Sequence, residues 1–244
     1  MEITRGTLLG GRVHHDQPAS GQRTGIEPVL LAAAAPVRAG ERVLEGGTGV
    51  GTALLCLAAR VPGLAGVGIE RDGALVALAR ANAAKNGFDR LSFVTGDLCE
   101  GIVSGPFDHA MANPPWHSPH GTASPDAGRE TAKRGEAGLI EDWARTLAAP
   151  LRDRGTLTIV IASARLAECL TALKDARCGS PIVFPLWPKA EKPAKLVLVR
   201  GVKGGRGPCR LLPGLVLHRT DGSYTEAAEA VLRGGAKLQL HDDV

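Results

Sequence analysis

The sequence predicts an α/β fold, a mostly parallel twisted sheet with helices on both faces. Three observations carry that prediction. From residue 41 short β-like runs alternate with Ala- and Leu-rich helical stretches, a pattern that demands right-handed crossovers and a sheet covered on both sides. The unusual residues (Glu45-Gly46-Gly47, Glu70, Gly96-Asp97 and Asn113-Pro114) all fall where a predicted strand ends, the edge at which such sheets bind ligands. The 244 residues are 44% hydrophobic and 22% charged, enough apolar material to bury a core.

The elements follow in order. A helix over Val29 to Ala35 precedes the first strand, Arg42-Val43-Leu44, which ends at a glycine turn. Val50 to Arg60 is helical and stops at Pro62-Gly63. Ala65 to Ile69 is the second strand. Asp72 caps a helix that runs to Asn86-Gly87, a C-terminal stop. Leu91 to Thr95 and Phe107 to Ala112 are the third and fourth strands. A helix from Leu139 to Ala148, a strand from Thr156 to Ala162 and a helix from Ala164 to Arg177 come next. Ile182 to Leu186 and Leu196 to Val199 read as strands joined by a basic turn. Leu215 to Leu240 reads as a strand and a short helix, with Ser223-x-x-Glu226 in capping-box form. One domain is expected over 1–244: an N-terminal extension or lid (1–36), a ligand-binding core (37–200) and a C-terminal strand and helix (201–244).

Bulk properties exclude several classes. No apolar run reaches the roughly 18 residues needed to cross a bilayer, and the N-terminal residues lack the apolar stretch of a signal peptide. Cys56, Cys99, Cys169, Cys178 and Cys209 are widely spaced without CxxC pairing. They read as reduced thiols of a cytoplasmic protein, mostly small core residues. His109, His117 and His120 lack acidic partners and helical spacing, so they read as surface positions or positions behind the site, with no metal expected. Net charge is +4, but residues 185–210 hold seven Lys/Arg against one acid, Glu191. Such a local basic segment fits phosphate-backbone binding, or a solvated surface segment.

Two motifs carry chemistry. Glu45-Gly46-Gly47-Thr48-Gly49-Val50-Gly51 follows a strand and opens a helix. Its glycines let the backbone turn tightly and approach a ligand. A dinucleotide fingerprint counted from Gly47 would need a glycine at position 52, where Thr52 stands, so a nicotinamide dehydrogenase is disfavoured. Glu70, 19 residues after Gly51, can accept hydrogen bonds from two ribose hydroxyls. The other motif is Asn113-Pro114-Pro115-Trp116. Consecutive prolines fix the backbone and the direction of successive carbonyls, and Trp116 offers a flat face on which a base can stack.

Together these resemble class I S-adenosyl-L-methionine-dependent amino-methyltransferases. The resemblance implies a Rossmann-like methyltransferase fold with a C-terminal antiparallel strand pair. It also implies S-adenosyl-L-methionine as cofactor, held by Glu45, Gly46, Gly47, Thr48, Gly49, Gly51, Glu70, Arg71, Asp97, Leu98 and Asn113, with Asp97 reading the adenine amino group. Asn113, Pro114, Pro115 and Trp116 become the catalytic loop: the Asn113 side-chain oxygen and the Pro114 carbonyl accept both hydrogens of a planar NH2. Glu45-Gly46-Gly47 departs from the Asp-x-Gly that many relatives carry.

Gln17-Pro18-x-x-Gly21-x-Arg23-x-Gly25-x-Glu27 and the stretch from about Leu9 to Arg233 further resemble the bacterial tRNA1(Val) adenine-37 N6-methyltransferase group. That resemblance implies a tRNA or other structured RNA as partner. It nominates Gln17, Arg23, Trp116, Arg129, Lys133, Lys189 and Lys192 as substrate-binding residues. A protein glutamine of a release factor, guanine N2 of rRNA, or a non-catalytic RNA-binding role are the competing readings. The sequence leaves the oligomeric state open.

Overall fold

The computed structural model describes residues 2–20, 24–100, 104–115 and 138–240. Element labels refer to these residues. The chain opens with a hairpin of β1 (Ile3–Leu8) and β2 (Val13–Pro18), antiparallel with Ile3 opposite Pro18 and Leu8 opposite Val13. Helix α1 (Glu27–Ala34) then leads to β3 (Arg42–Gly46), α2 (Thr52–Arg60), β4 (Ala65–Glu70), α3 (Gly73–Lys85), β5 (Leu91–Thr95) and β6 (Phe107–Ala112). After these come α4 (Leu139–Ala148), β7 (Leu151–Ala162), α5 (Leu166–Asp175), β8 (Cys178–Trp187) and β9 (Leu196–Lys203). Two-residue strands β10 (Arg210–Leu211) and β11 (Leu215–Val216) and helix α6 (Glu226–Leu232) close the chain.

The larger sheet runs β10-β8-β9-β7-β6-β3-β4-β5, with β11 also on β8. Strands β5, β4, β3, β6 and β7 are parallel, while β9 is antiparallel to both β7 and β8. The expected parallel α/β sheet and its C-terminal antiparallel strands are both present. From β3 the chain builds outward to β4 and β5 and then returns to lay β6 on the opposite side. The order therefore reverses between β3 and β6, where Gly46 lies opposite Ala112. At such a switch point the loops diverge and leave a crevice.

Side chains of the sheet alternate between two apolar layers, as the pleat requires. Val43, Met111 and Val160 pack with α1, α2 and α3, and Leu44, Ala112 and Ile159 pack with α4 and α5. Asp72 caps α3 as read from sequence, its Oδ1 accepting from the Ala74 and Leu75 amides at 2.8 and 3.4 Å. Cys56, Cys169 and Cys178 are buried, and Cys99 and Cys209 are exposed. Among the described residues no helix is long and apolar enough to cross a membrane.

Four readings need correction. The cap of α6 is Thr225, whose hydroxyl accepts from the Ala228 amide at 3.1 Å. Ser223 instead donates to Asp221, an Asx-type turn that competes with capping. Strand β7 begins at Leu151 rather than Thr156, because the polar Arg152-Asp153-Arg154, with Arg154 at φ 65, looks like a turn in sequence. His109 does have an acidic partner: its Nε2 is 2.9 Å from Glu41 Oε2 and its Nδ1 2.8 Å from Thr156 Oγ1. Burial lowers its pKa while Glu41 opposes the shift. Finally, the N-terminal extension contains the β1–β2 hairpin. Its six-residue strands show little alternation, so its stability comes from what it touches.

Candidate functional site

At the carboxyl ends of β3, β4, β5 and β6 lies a cleft of about 650 Å³. Its floor is the glycine loop. Thr48 is anchored by its amide to the Ile69 carbonyl at 3.0 Å, and Gly51 turns back onto the Thr48 carbonyl at 2.9 Å. Gly47, Gly49 and Gly51 hold φ of 63, 54 and 85°, the left-handed region that costs a side-chain-bearing residue about 1 kcal/mol or more. Gly47 and Gly49 line the cleft. Gly46 does not, since it is packed beneath Leu98 and Leu147, and Gly51 instead abuts Phe93 as it starts α2. Those two glycines shape the loop from behind.

The carboxylate of Glu70 is fixed at both oxygens. Oε2 accepts from the Gly49 amide at 3.0 Å and Oε1 from the Asp72 amide at 3.1 Å. Each oxygen keeps a lone pair for a ligand hydroxyl. Asp97 is held by the Cys99 amide on Oδ1 at 2.8 Å and lines the cleft with Arg71 and Leu98. Glu45 is nearly completely buried. Burial pushes its carboxyl from the usual 4.5 up to about 8, against the opposing hydrogen bond from Thr48 Oγ1 at 2.6 Å. The acid at the loop start is therefore neutral at pH 7 and acts as a local strut for Thr48.

Asn113 and Pro114 leave β6 directly opposite the glycine loop and line the same cleft, as does Pro115. The Asn113 side-chain oxygen is buried and accepts no hydrogen bond from the described residues. A buried acceptor left unpaired costs about 1–3 kcal/mol, so its retention points to a donor arriving from a ligand. The set of cleft-lining glycines that admit a ligand close to the backbone, the Glu70 carboxylate and Asp97 fits S-adenosyl-L-methionine in size and donor chemistry.

Gln17 lines the cleft, and its side-chain oxygen also accepts from the Thr24 amide at 3.0 Å. Arg23, Trp116, Arg129 and Lys133 lie outside the described residues, as do His117 and His120. Lys189 and Lys192 are not in the cleft. They sit on the β8–β9 turn, on the same sheet edge, since Leu196 pairs with Ala162 at the carboxyl end of β7. Lys189 donates to the Thr220 carbonyl at 2.9 Å.

Sequence reasoning left several cleft-lining residues without a role, among them Thr24, Glu27 and Trp143. Thr24 and Glu27 wall the cleft from the lid side, and Trp143 of α4 walls it from the other face of the sheet. Helical spacing reads Trp143 as core, and only its contact with Gly47 separates it from the other apolar residues of α4.

Comparison with known proteins adds the following. The family described as Methyltransferase small domain matches residues 26–175. A tRNA1(Val) (adenine(37)-N6)-methyltransferase of Aeromonas hydrophila is 28% identical over 215 residues, 87% of this chain and 89% of that protein. A release factor glutamine methyltransferase of Deinococcus radiodurans is 36% identical over 147 residues, 57% of this chain and 51% of that one. Among solved structures, a predicted O-methyltransferase from Agrobacterium tumefaciens superposes with a TM-score of 0.73 at 23% identity. It covers 87% of this chain and 98% of its own, a likeness of fold.

Proposed function

The chain belongs to the methyltransferase small domain family, S-adenosyl-L-methionine-dependent enzymes, and on that premise we propose that it methylates adenine N6 in tRNA or another structured RNA. The observation that carries the amine chemistry is the buried Asn113 oxygen, without a hydrogen-bond partner among the described residues, which lines the cleft beside Pro114 on the strand next to the glycine loop. Together with the Pro114 carbonyl, that oxygen accepts both hydrogens of a planar amino group. This holds the nitrogen with its lone pair directed toward the glycine loop. An exocyclic amine is a poor nucleophile because its lone pair is delocalised, and two acceptors on its hydrogens favour pyramidalisation as the new bond forms. No strong general base is needed, because the proton leaves after transfer.

S-Adenosyl-L-methionine, when bound, supplies an electrophilic methyl group on a sulfonium. The residues that would hold it are Gly47 and Gly49 along its methionine and ribose portion, Glu70 at the ribose hydroxyls and Asp97 at the adenine. Trp116, following directly on Pro115, is assigned the stacking face for a flipped base. Lys189 and Lys192, on the cleft edge of the sheet, are assigned to the RNA backbone.

The choice of RNA is supported by the likeness to the Aeromonas enzyme over most of both chains and by the basic turn on the cleft edge. The test is incubation of the protein with labelled cofactor and either bulk tRNA or a release-factor peptide. Digestion of the RNA to nucleosides and mass spectrometry follow. N6-Methyladenosine is expected. Label in the peptide glutamine with none in RNA would assign the protein substrate instead.

A further inference from the structure

We infer that the indole of Trp143 is a cofactor-contact wall that favours the cationic methyl donor over its neutral thioether product. This rests on the methyltransferase reading above. Trp143 is 8% exposed, and that remaining surface faces the cleft. Its neighbours on α4 (Ile140, Ala144 and Leu147) are fully buried in the core, whereas Leu139, one turn earlier, also lines the cleft. Residues four apart share a helix face, so α4 turns one edge to the core and one to the ligand.

The ring presses on the glycine loop itself. A Cβ placed on Gly47 would stand 2.5 Å from Trp143 Cη2. The indole therefore sits at the Gly47 end of the cleft, and Asn113 and Pro114 line that same cleft. Methyl transfer in line requires the sulfonium methyl to face the amine, and Trp143 lines the cleft that would hold both.

Charge considerations point the same way. Among the described residues four carboxyl groups line the cleft: Glu27, Glu45, Glu70 and Asp97. Glu70 and Asp97 are tied to backbone amides at the ends of β4 and β5. Glu27 begins α1, which packs on the opposite face of the sheet from α4. Glu45 is neutral near pH 7 because of its burial. Among the described residues that line the cleft from the α4 side, the indole is then the group suited to a desolvated cation.

The experiment titrates wild type, Trp143→Phe and Trp143→Leu with S-adenosyl-L-methionine and with S-adenosyl-L-homocysteine by calorimetry. Intrinsic fluorescence is recorded in parallel, and the wild-type minus Trp143→Phe spectrum isolates the Trp143 emission. Trp143→Leu is expected to weaken the sulfonium ligand about tenfold while leaving the thioether within about threefold, and Trp143→Phe to retain most of the preference. The difference spectrum should change when cofactor is added. If Trp143→Leu does not fold, Trp143→Phe and the emission readout decide. Equal weakening of both ligands, or an emission indifferent to cofactor, overturns the inference while leaving the methyltransferase reading intact. A wild type that binds neither ligand overturns both.

Discussion

Asn113 and Glu45 stand about one strand apart in the sheet, and their chemistry is opposite. Asn113 carries an acceptor that folding leaves unpaired. Asn113→Ala removes it without touching the glycine loop or Glu70, so transfer should fall by at least 10²-fold with cofactor affinity nearly unchanged, as single-turnover rates and calorimetry would read. Equal loss of both would mean the loop is structural. Glu45 is a stability device with a pH signature. Its folded pKa, about 8, lies above its ordinary 4.5, so the folded state holds the proton more tightly. The stability it contributes is complete below about pH 4.5 and is lost as pH rises through about 8. Glu45→Gln should flatten that decline and raise Tm at pH 8.5 relative to wild type. A Tm difference that does not vary between pH 5 and pH 8.5 would sink this account. The first member of the glycine motif was plain in the sequence, but its protonation was not, because burial depends on α2 and β4 closing over it.

At the scale of elements, the hairpin is seated as though α3 were a further strand. Asn82 accepts from the Asp16 amide and donates to the Asp16 carbonyl, both at 2.9 Å, and also reaches the Val50 carbonyl at 3.1 Å. One turn on, Asn86 does the same for His14, at 2.8 and 2.7 Å. His15 Nε2 meets Thr52 Oγ1 at 2.9 Å, where α2 begins. A side-chain amide presents an N–H donor and a carbonyl acceptor side by side, as a peptide unit does, and keeps a second N–H for another carbonyl, so two asparagines four apart on α3 extend a strand's pairing. The hairpin thereby brings Gln17 and Pro18 to the cleft. Asn82→Ala strands the Asp16 and Val50 groups and should cost about 2–3 kcal/mol. Hydrogen exchange should accelerate in residues 13–18 before the central sheet, and cofactor affinity should drop. Unchanged protection in β2 would show that the seat lies elsewhere. The sequence reads Asn86 as a helix stop and does not single out Asn82, since their partners in the hairpin lie 72 and 66 positions away. By contrast, β5, β6 and α4 were legible to the residue, because Gly, Pro, Asp or Asn flank them and leave little freedom in where an element ends.

Across the whole molecule, the basic segment 185–210 divides between two opposite edges of the sheet. Lys189, Lys192 and Lys195 lie on the β8–β9 turn, at the cleft edge, and the Ser163 amide ties Lys195 to the end of β7. Lys203 lies at the other end of β9, where its ammonium caps the carbonyls of Ala148 and Ala176 at the ends of α4 and α5, a favourable place for a cation. Arg200 is spent on the Leu240 carbonyl. Arg206 is exposed on the edge away from the cleft. Reversing Lys192 and Lys195 to Glu should weaken tRNA binding and lower the salt slope by about 2, while Arg206→Glu should leave both unchanged. Filter binding across a salt series measures this, and equal effects at the two edges would refute it. The sequence by itself determined the α/β class, the cofactor loop and the amine-directed loop, because tight turns, strand ends and their chemistry are written in contiguous residues. Only the tertiary structure decided which lysines share an edge with the cleft, that burial raises the Glu45 pKa, that Trp143 walls the Gly47 end, and that residues 3–18 form a docked hairpin. Each of these depends on groups far apart in the chain being brought together, and pairing, burial and desolvation act through space, where local pattern has no say.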